Sequence, residues 1–117
     1  MEEISEIHEL LEEIKNKNLL VVVEGIKDQR SLESFGIKNI MTLKKPLYAV
    51  VEEVASKAEE TVLLTDLDDE GKKLYSVLSR DLQKHGVKID NRLRELLFKT
   101  QLRHVEGLQA FLARAQA

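Results

Sequence analysis

Apolar residues follow two kinds of pattern along the chain: short unbroken runs and longer stretches with helical spacing. The two clearest runs are Leu19–Val23 and Thr61–Thr65, and weaker ones occupy Ile37–Leu43 and Val87–Ile89. Runs this short and this rich in β-branched residues are typical of strands that are covered on both faces. The sequence therefore predicts four short strands.

Between these runs, apolar residues recur every three or four positions, which predicts amphipathic helices. The predicted helices cover residues 2–17, Lys27–Phe35, a stretch opened by Pro46 in its first turn, Asp69–His85, a stretch capped by Asp90, and a last short helix that carries Leu108, Phe111 and Leu112. Gly36 and Gly86 directly follow two of these helices, where a left-handed residue commonly ends a helix. Strands and helices therefore alternate along the chain.

This alternation predicts an α/β fold: a compact, Rossmann-like, four-stranded parallel sheet in the order 2-1-3-4, flanked by helices. With 117 residues, the chain is long enough to bury one core. We expect a single compact domain with three segments. An amphipathic N-terminal helix (1–18) packs on the core (19–91), and a C-terminal helical extension (92–117) follows it.

Composition restricts the chemistry more than it restricts the fold. The chain has no cysteine, and its three histidines, His8, His85 and His104, are scattered. Disulfides, thiolate zinc sites and cysteine nucleophiles are therefore excluded, and we expect metal ligands to be oxygen atoms, which suit Mg²⁺, Mn²⁺ or Ca²⁺. No apolar stretch approaches the roughly 18 residues of a membrane span, and the acidic N-terminus is unlike a secretory signal. We expect a cytoplasmic protein without a membrane partner.

Charge is distributed unevenly, although the net charge is only −3. Residues 80–117 contain eight Lys or Arg against four Asp or Glu, whereas residues 1–79 contain ten against seventeen. The basic last third indicates a phosphate-bearing partner such as nucleic acid, although ordinary solvated helix faces explain it equally well. The candidate basic track consists of Arg92, Arg94, Lys99, Arg103 and His104.

Carboxylates follow the two clearest strands at the point where each strand ends. Glu24 comes directly after the first strand, and Asp66, Asp68 and Glu70 come after the third. In the order 2-1-3-4 these strands are neighbours, and such sheets bind ligands in the crevice beyond their carboxyl ends. Because clustered carboxylates repel one another unless a cation compensates, we predict a divalent metal site there. The alternative is that the acids after the third strand only stabilise the start of a helix.

Other acidic and phosphate-binding motifs fit less well. A calcium loop begun at Asp66 would need glutamate at its twelfth position, where the chain has Val77. A phosphatase that uses Asp66 and Asp68 as nucleophile and acid would need further motifs for which the chain is short, so it stays a weak alternative. The chain contains neither the P-loop nor the dinucleotide-binding fingerprint.

The strand-end motif Val23–Gly25 (V-E-G) and the motif Asp66–Gly71 (D-L-D-D-E-G), about forty residues later, together resemble the Toprim domain. Bacterial primases, topoisomerases of types IA and II, recombination-repair proteins and the 5S ribosomal RNA maturation nuclease share this domain. The resemblance covers roughly Leu19 to Asn91. The chain looks most similar to small stand-alone Toprim proteins related to the maturation nuclease and primase branches.

The resemblance implies a compact parallel sheet and Mg²⁺-dependent phosphodiester chemistry. It implies that Glu24 acts as general acid/base or joins the metal shell, and that Asp66 and Asp68 are metal ligands. Glu70 matches a third acid found in the topoisomerase version. The chain shows neither the tyrosine domain of the topoisomerases nor the zinc-binding region of the primases, so the resemblance leaves the reaction open.

Small and basic residues next to the two motifs are candidates for binding phosphate. They are Gly25, Lys27, Gly71 and Lys72. Glycine lets a ligand approach the backbone closely and lysine neutralises charge, although lysines are also ordinary at solvated helix ends. Val105–Gly107 repeats the letters V-E-G without a preceding strand. We interpret it as a helix break, and a role near the site is the weaker alternative.

We interpret the chain as a Mg²⁺-dependent protein, with Mn²⁺ as the second candidate ion, that acts on phosphodiester bonds of RNA or DNA. A nuclease of the RNA-maturation type is the leading hypothesis. Two alternatives stay open: a non-catalytic module that binds nucleic acid or protein and is stabilised by its metal, and a small-molecule phosphohydrolase. The sequence leaves the oligomeric state undetermined.

Overall fold

Four parallel strands form the centre of the molecule, and helices cover both faces of their sheet. The computed structural model describes residues 2–116; Met1 and Ala117, the outermost residues of the predicted terminal segments, lie outside the described residues. The strands are β1 (Leu20–Val23), β2 (Ile40–Thr42), β3 (Glu60–Leu63) and β4 (Lys88–Asp90). The helices are α1 (Glu2–Asn16), α2 (Ile26–Glu33), α3 (Leu47–Lys57), α4 (Asp69–Lys84), α5 (Arg92–Phe98) and α6 (Leu108–Gln116), and a 3₁₀ turn (Val105–Gly107) precedes α6.

The strand order is β2-β1-β3-β4 with every neighbouring pair parallel, which confirms the predicted sheet. On β1, Val21 lies opposite Ile40 on one side and Val62 on the other. The pairing continues past the end of β3, where Leu64 N–H donates to the Val22 carbonyl at 2.9 Å. Because β1 and β3 are the central pair, their carboxyl ends lie next to each other.

Side chains alternate between the two faces of the sheet and form two cores. On one face, Val21, Val23 and Val62 pack against residues of α1, α2, α5 and the C-terminal segment. On the other face, Val22 and Leu63 pack against residues of α3 and α4. Both faces are covered, which explains why the strands are apolar throughout instead of alternating with polar residues.

Helix ends lie close to the predicted positions, and the differences have simple causes. Gly36 and Gly86 have φ angles of 83° and 81°, as expected for residues that end helices in the left-handed region. Pro46 immediately precedes α3 instead of occupying its first turn, with φ at −53°. None of the helices within residues 2–116 combines the length and apolar composition that a bilayer crossing requires.

Arg92 connects the N-terminal helix to the edge of the sheet. Its Nη2 lies 2.9 Å from Asp90 Oδ2 and 2.5 Å from Glu13 Oε2. Asp90 was predicted to cap the next helix, but it is the last residue of β4 and Asn91 takes that place; Asp90 Oδ1 still accepts a hydrogen bond from Arg92 N–H at 3.1 Å. Burial alone would raise the pKa of Asp90, but the hydrogen bonds and charge of Arg92 outweigh burial and lower it.

We expect Arg92→Met to lower the free energy of unfolding at neutral pH by about 1–3 kcal/mol, because it leaves the buried Asp90 carboxylate without its cation. Because the pKa of Asp90 is lowered in the folded protein, ionised Asp90 stabilises the fold at pH values above its pKa in the unfolded chain, about 3.9. This stabilisation is lost as the pH falls through the pKa of Asp90 in the folded protein. Urea unfolding between neutral pH and about pH 2 should show a smaller acid-side decline in the variant than in the wild type.

Arg80→Met is the matched control, because Arg80 pairs with Asp81 on the surface with its side chain 62% exposed. We expect this control to change stability by less than about 0.5 kcal/mol. Equal losses in the two variants would contradict the role assigned to Arg92.

Candidate metal centre

The two acidic strand ends meet through a direct hydrogen bond. Glu24 follows β1, and Asp66 lies in the loop between β3 and α4. Glu24 Oε2 accepts a hydrogen bond from Asp66 N–H at 2.8 Å. The carboxylate of one strand end therefore positions the backbone of the other.

Among the described residues, Asp66, Asp68 and His104 bring three ligand atoms within 4.8 Å of one another. His104 Nδ1 lies 3.6 Å from Asp66 Oδ2 and 3.8 Å from Asp68 Oδ2. These separations are too long for hydrogen bonds. They lie between the roughly 3 Å and 4 Å that separate adjacent and opposite ligands when each is about 2.1 Å from one ion. The donor set, two carboxylates and an imidazole, fits a divalent cation.

His104 reaches this group because the segment after α5 is hydrogen-bonded to the loop after β3. Leu67 N–H donates to the Arg103 carbonyl at 2.9 Å, and Val105 N–H donates to Asp66 Oδ1 at 2.9 Å. From the sequence, His104 was assigned to a basic track, the ligands were expected to be oxygen atoms, and Val105–Gly107 was interpreted as a helix break with a role near the site as the weaker alternative. No local pattern relates His104 to Asp66, because their proximity depends on how the C-terminal segment folds back over the sheet.

In both Asp66 and Asp68, one carboxylate oxygen accepts a backbone hydrogen bond and the other faces the site. Asp66 Oδ1 accepts from Val105 N–H, and Asp68 Oδ1 caps α4 by accepting from Gly71 N–H at 2.8 Å. The remaining Oδ2 atoms are those that face His104. The helix-cap and metal-site interpretations of Asp68 are therefore compatible, because separate oxygens of one carboxylate carry the two roles.

The other two predicted ligands, Glu70 and Glu24, lie outside the converging group. Glu70 is exposed in the first turn of α4, where negative charge favours the helix dipole. Burial raises the pKa of Glu24; the negative charges of Asp66, Asp28 and Asp68 add to the rise, and the hydrogen bond from Asp66 N–H opposes it. A carboxyl with a raised pKa beside two converging carboxylates is suited to proton transfer.

Asp28 is a further acid near the site, and it belongs to neither of the two sequence motifs. It is buried in α2, and its Oδ2 accepts a hydrogen bond from Gly25 N–H at 3.0 Å. Burial raises the pKa of Asp28, and the charges of Asp66 and Glu106 add to the rise. An acid three residues after the N-cap commonly accepts a hydrogen bond from the N-cap N–H, so the contact between Asp28 and Gly25 could have been predicted from the sequence. Its position beside the other acids depends on tertiary structure.

Arg94 lies beneath the acids instead of in the predicted surface track, because α5 turns this side chain inwards. It is 5% exposed, and its guanidinium lies 4.3 Å from the Tyr75 ring centroid and 4.8 Å from that of Phe98. Arg94 donates to the carbonyls of Thr65 at 3.3 Å and Asp66 at 3.1 Å. A buried cation thus holds the backbone at the end of β3 and supplies fixed positive charge under the site.

The two glycines of the predicted phosphate-binding set have different surroundings. A Cβ atom at Gly71 would lie 1.9 Å from the Asp66 carbonyl oxygen, so the loop can close only around glycine. Gly25 has an extended backbone, with φ at −149°, and open space around its Cβ position. Packing therefore explains Gly71, whereas the open space at Gly25 leaves room for a ligand to approach.

The two lysines of that set are exposed, Lys27 on α2 and Lys72 on α4. Lys27 lines a shallow groove of about 320 Å³ together with Glu106. Lys72 Nζ lies 5.7 Å from the Phe98 ring centroid, a cation–π contact. Their role in binding phosphate stays a prediction.

A larger open groove, of about 690 Å³, begins at His104 and continues along α6. Arg103, Arg114 and Phe111 line it, together with the single acid Glu106. The C-terminal segment that brings His104 to the acids therefore also forms a groove with excess positive charge beside them.

Residues 19–96 match the Toprim domain family, as the sequence motifs predicted. The chain therefore belongs to the Toprim family, whose domains bind divalent metal ions and act on nucleic acids.

Nearly the whole chain is also similar to small UPF0292 proteins. It is 30% identical to such a protein of Methanocaldococcus jannaschii, over 89% of this chain and 88% of that protein. It is 32% identical to another from Methanosarcina barkeri, over 97% of this chain and 83% of that protein. Among solved structures, a putative protein from Aquifex aeolicus matches with a TM-score of 0.78 and 31% identity, over 87% of this chain and 94% of that one.

We expect Glu24→Gln to raise the thermal unfolding midpoint in metal-free buffer at neutral pH. Since the pKa of Glu24 is raised in the folded protein, its ionised form opposes folding above that pKa, and the penalty disappears below the unfolded value of about 4.3. The amide removes the charge and keeps an oxygen for Asp66 N–H. The gain should shrink near pH 4. Glu52→Gln, at an exposed site on α3, should show no gain, and a less stable Glu24→Gln would contradict the assignment.

We expect Gly71→Ala to cost about 3 kcal/mol or more, because the added methyl group would overlap the Asp66 carbonyl. Gly25→Ala should cost less than about 1 kcal/mol, since its backbone is extended and its Cβ position is open. Urea unfolding of the two variants compares them directly. Similar losses would contradict the packing role of Gly71.

Proposed function

We propose that this protein is a divalent-metal-dependent enzyme that hydrolyses phosphodiester bonds of nucleic acid. The observation that carries the proposal is the convergence of Asp66 Oδ2, Asp68 Oδ2 and His104 Nδ1 beside Glu24, whose pKa is raised. Membership of the Toprim family supports it, since these domains act on nucleic acids. Mg²⁺ and Mn²⁺ are the candidate ions.

Asp66 and Asp68 would hold the ion through their Oδ2 atoms, because their Oδ1 atoms accept backbone hydrogen bonds. When bound there, a divalent ion supplies charge that stabilises the phosphate in the transition state. The backbone hydrogen bonds fix both carboxylates before substrate arrives, so little reorganisation is needed. Arg94 keeps the Asp66 backbone in place from below.

Glu24 is the group we assign to proton transfer. Its Oε2 accepts from Asp66 N–H, so the carboxylate is oriented and Oε1 is left for a proton. A pKa raised towards neutrality makes the carboxylate a stronger base. In the proposed reaction Glu24 accepts the proton of the attacking water, whose oxygen bonds to phosphorus. The bond from phosphorus to the leaving oxygen breaks, and Glu24 returns its proton to that oxygen.

The surroundings of the site favour a polymer over a small phosphate ester. An open groove of about 690 Å³ is lined by His104 together with Arg103 and Arg114. Arginines along a groove suit the repeating phosphates of a nucleic-acid backbone. A small phosphate ester bound at Asp66 and Asp68 would not need this groove, because neither aspartate lines it.

We expect the protein to cleave RNA or DNA in the presence of Mg²⁺ or Mn²⁺, and chelation to abolish cleavage. Glu24→Gln and Asp66→Asn should each reduce the rate at least about a hundredfold, since each removes a group that acts in the transition state. End-labelled single- and double-stranded RNA and DNA, incubated under single-turnover conditions, provide the measurement.

Asp69→Asn is the matched control, because Asp69 is an exposed acid in the first turn of α4, directly after Asp68. It should keep nearly full activity. Equal rates for the wild type, Glu24→Gln and Asp66→Asn would contradict the proposal, as would a complete lack of cleavage of all four substrates.

A second candidate is a metal-stabilised module that binds nucleic acid without cleaving it. The observation in its favour is that Glu24, Asp66 and Asp68 each accept a hydrogen bond from a backbone N–H and so also have a structural role. The donors are the N–H groups of Asp66, Val105 and Gly71, respectively. Such a module would retain the labelled strands in a metal-dependent way in gel-shift experiments and leave them intact. A phosphate-ester hydrolase would instead release phosphate from small substrates.

A further inference from the structure

We propose that His104 is itself a metal ligand, through Nδ1, and that it makes the site prefer a first-row transition ion such as Mn²⁺ over Mg²⁺. The inference rests on the divalent-metal site of the proposed function, but it does not depend on the reaction catalysed there. His104 lies outside residues 19–96, so the Toprim match does not extend to this ligand. It is supplied by the C-terminal segment of the chain.

The position of His104 is set by the backbone on both of its sides. The Arg103 carbonyl accepts from Leu67 N–H, and Val105 N–H donates to Asp66 Oδ1, each at 2.9 Å. Val105 is fully buried, which anchors the segment in the core. Two hydrogen bonds of the neighbouring residues, not of His104 itself, therefore bring the imidazole to the acids. The closeness of the imidazole to the acids is thus a property of the fold.

The separations favour a shared ion over a direct ion pair. A histidine that pairs with a carboxylate donates a hydrogen bond at about 2.7–2.9 Å. His104 Nδ1 instead lies 3.6 Å and 3.8 Å from the two Oδ2 atoms, at nearly equal distances. This spacing is the one expected of three ligands around a single ion. The side chain is 58% exposed, so an ion can enter from the groove.

A nitrogen ligand in place of an oxygen ligand changes which ion the site binds most tightly. Mg²⁺ is a hard ion that favours oxygen ligands and keeps several waters. An imidazole nitrogen binds first-row transition ions more strongly than it binds Mg²⁺. A site of two carboxylates and one imidazole should therefore bind Mn²⁺ more tightly than a site of carboxylates alone, with little gain for Mg²⁺.

Pulsed EPR of the full chain loaded with one equivalent of Mn²⁺ tests the coordination directly. The wild type should show the ¹⁴N coupling of a directly bound imidazole, and His104→Gln should lose it. His85→Gln is the matched control, because His85 is exposed at the end of α4 with Nδ1 2.9 Å from the Asp81 carbonyl. This control should keep the coupling.

Calorimetric titration with Mn²⁺ and with Mg²⁺ tests the preference. His104→Gln should weaken Mn²⁺ binding about tenfold or more and change Mg²⁺ binding less than about threefold. His104→Asp restores an oxygen ligand, so it should bind Mg²⁺ at least as well as the wild type and still lack the ¹⁴N coupling. Thermal unfolding of the metal-free variants checks that each is folded.

Bound Mn²⁺ without ¹⁴N coupling in the wild type, together with loss of Mn²⁺ binding in Asp66→Asn, would overturn the role of His104 and leave the proposed function standing. Failure of the wild type to bind either ion would overturn both. An unchanged ratio of Mn²⁺ to Mg²⁺ affinity in His104→Gln would overturn the preference.

Discussion

The hydrogen bond between Asp66 N–H and the Glu24 carboxylate is the contact on which the rest of the site depends. It joins the ends of the two central strands, which lie far apart in the sequence but side by side in the sheet. Because β1 and β3 are parallel neighbours, both chains leave the sheet at the same edge. The bond sets the direction of the loop after β3, and that loop carries Asp66 and Asp68 and receives the C-terminal segment.

Gathering carboxylates at one point has an electrostatic cost, and the fold offsets part of it without a metal. Backbone N–H groups hold one oxygen of Glu24, Asp66, Asp68 and Asp28. The buried guanidinium of Arg94 supplies positive charge from below and is held in turn by aromatic rings. The raised pKa values of Glu24 and Asp28 show that compensation is incomplete. Because the negative charge of the carboxylates is only partly compensated, the site favours the binding of a cation.

Much of this arrangement was open to prediction from the sequence. The apolar runs and the alternation of strands with helices led to the sheet order, and the acids after two of those strands led to Glu24, Asp66 and Asp68 as a group. The sheet order is confirmed. It could be predicted because hydrophobic period is a local property and the topology of parallel sheets restricts where strand ends can meet, whereas the roles of the three acids stay predictions. Glu70 is exposed in the first turn of α4, outside the converging group, and its role as a ligand stays a prediction.

By itself, the sequence determined the class of fold, the edge of the sheet that holds the acids, and the Toprim motifs that mark it. The tertiary structure alone decided that His104 joins Asp66 and Asp68, that Arg94 lies under the site instead of on the surface, and that Asp28 is a further buried acid. The physical reason is that these placements depend on long-range packing of α2, α5 and the C-terminal segment. The spacing of residues along the chain predicts which face of each helix is apolar, but it does not record which distant segment packs against that face.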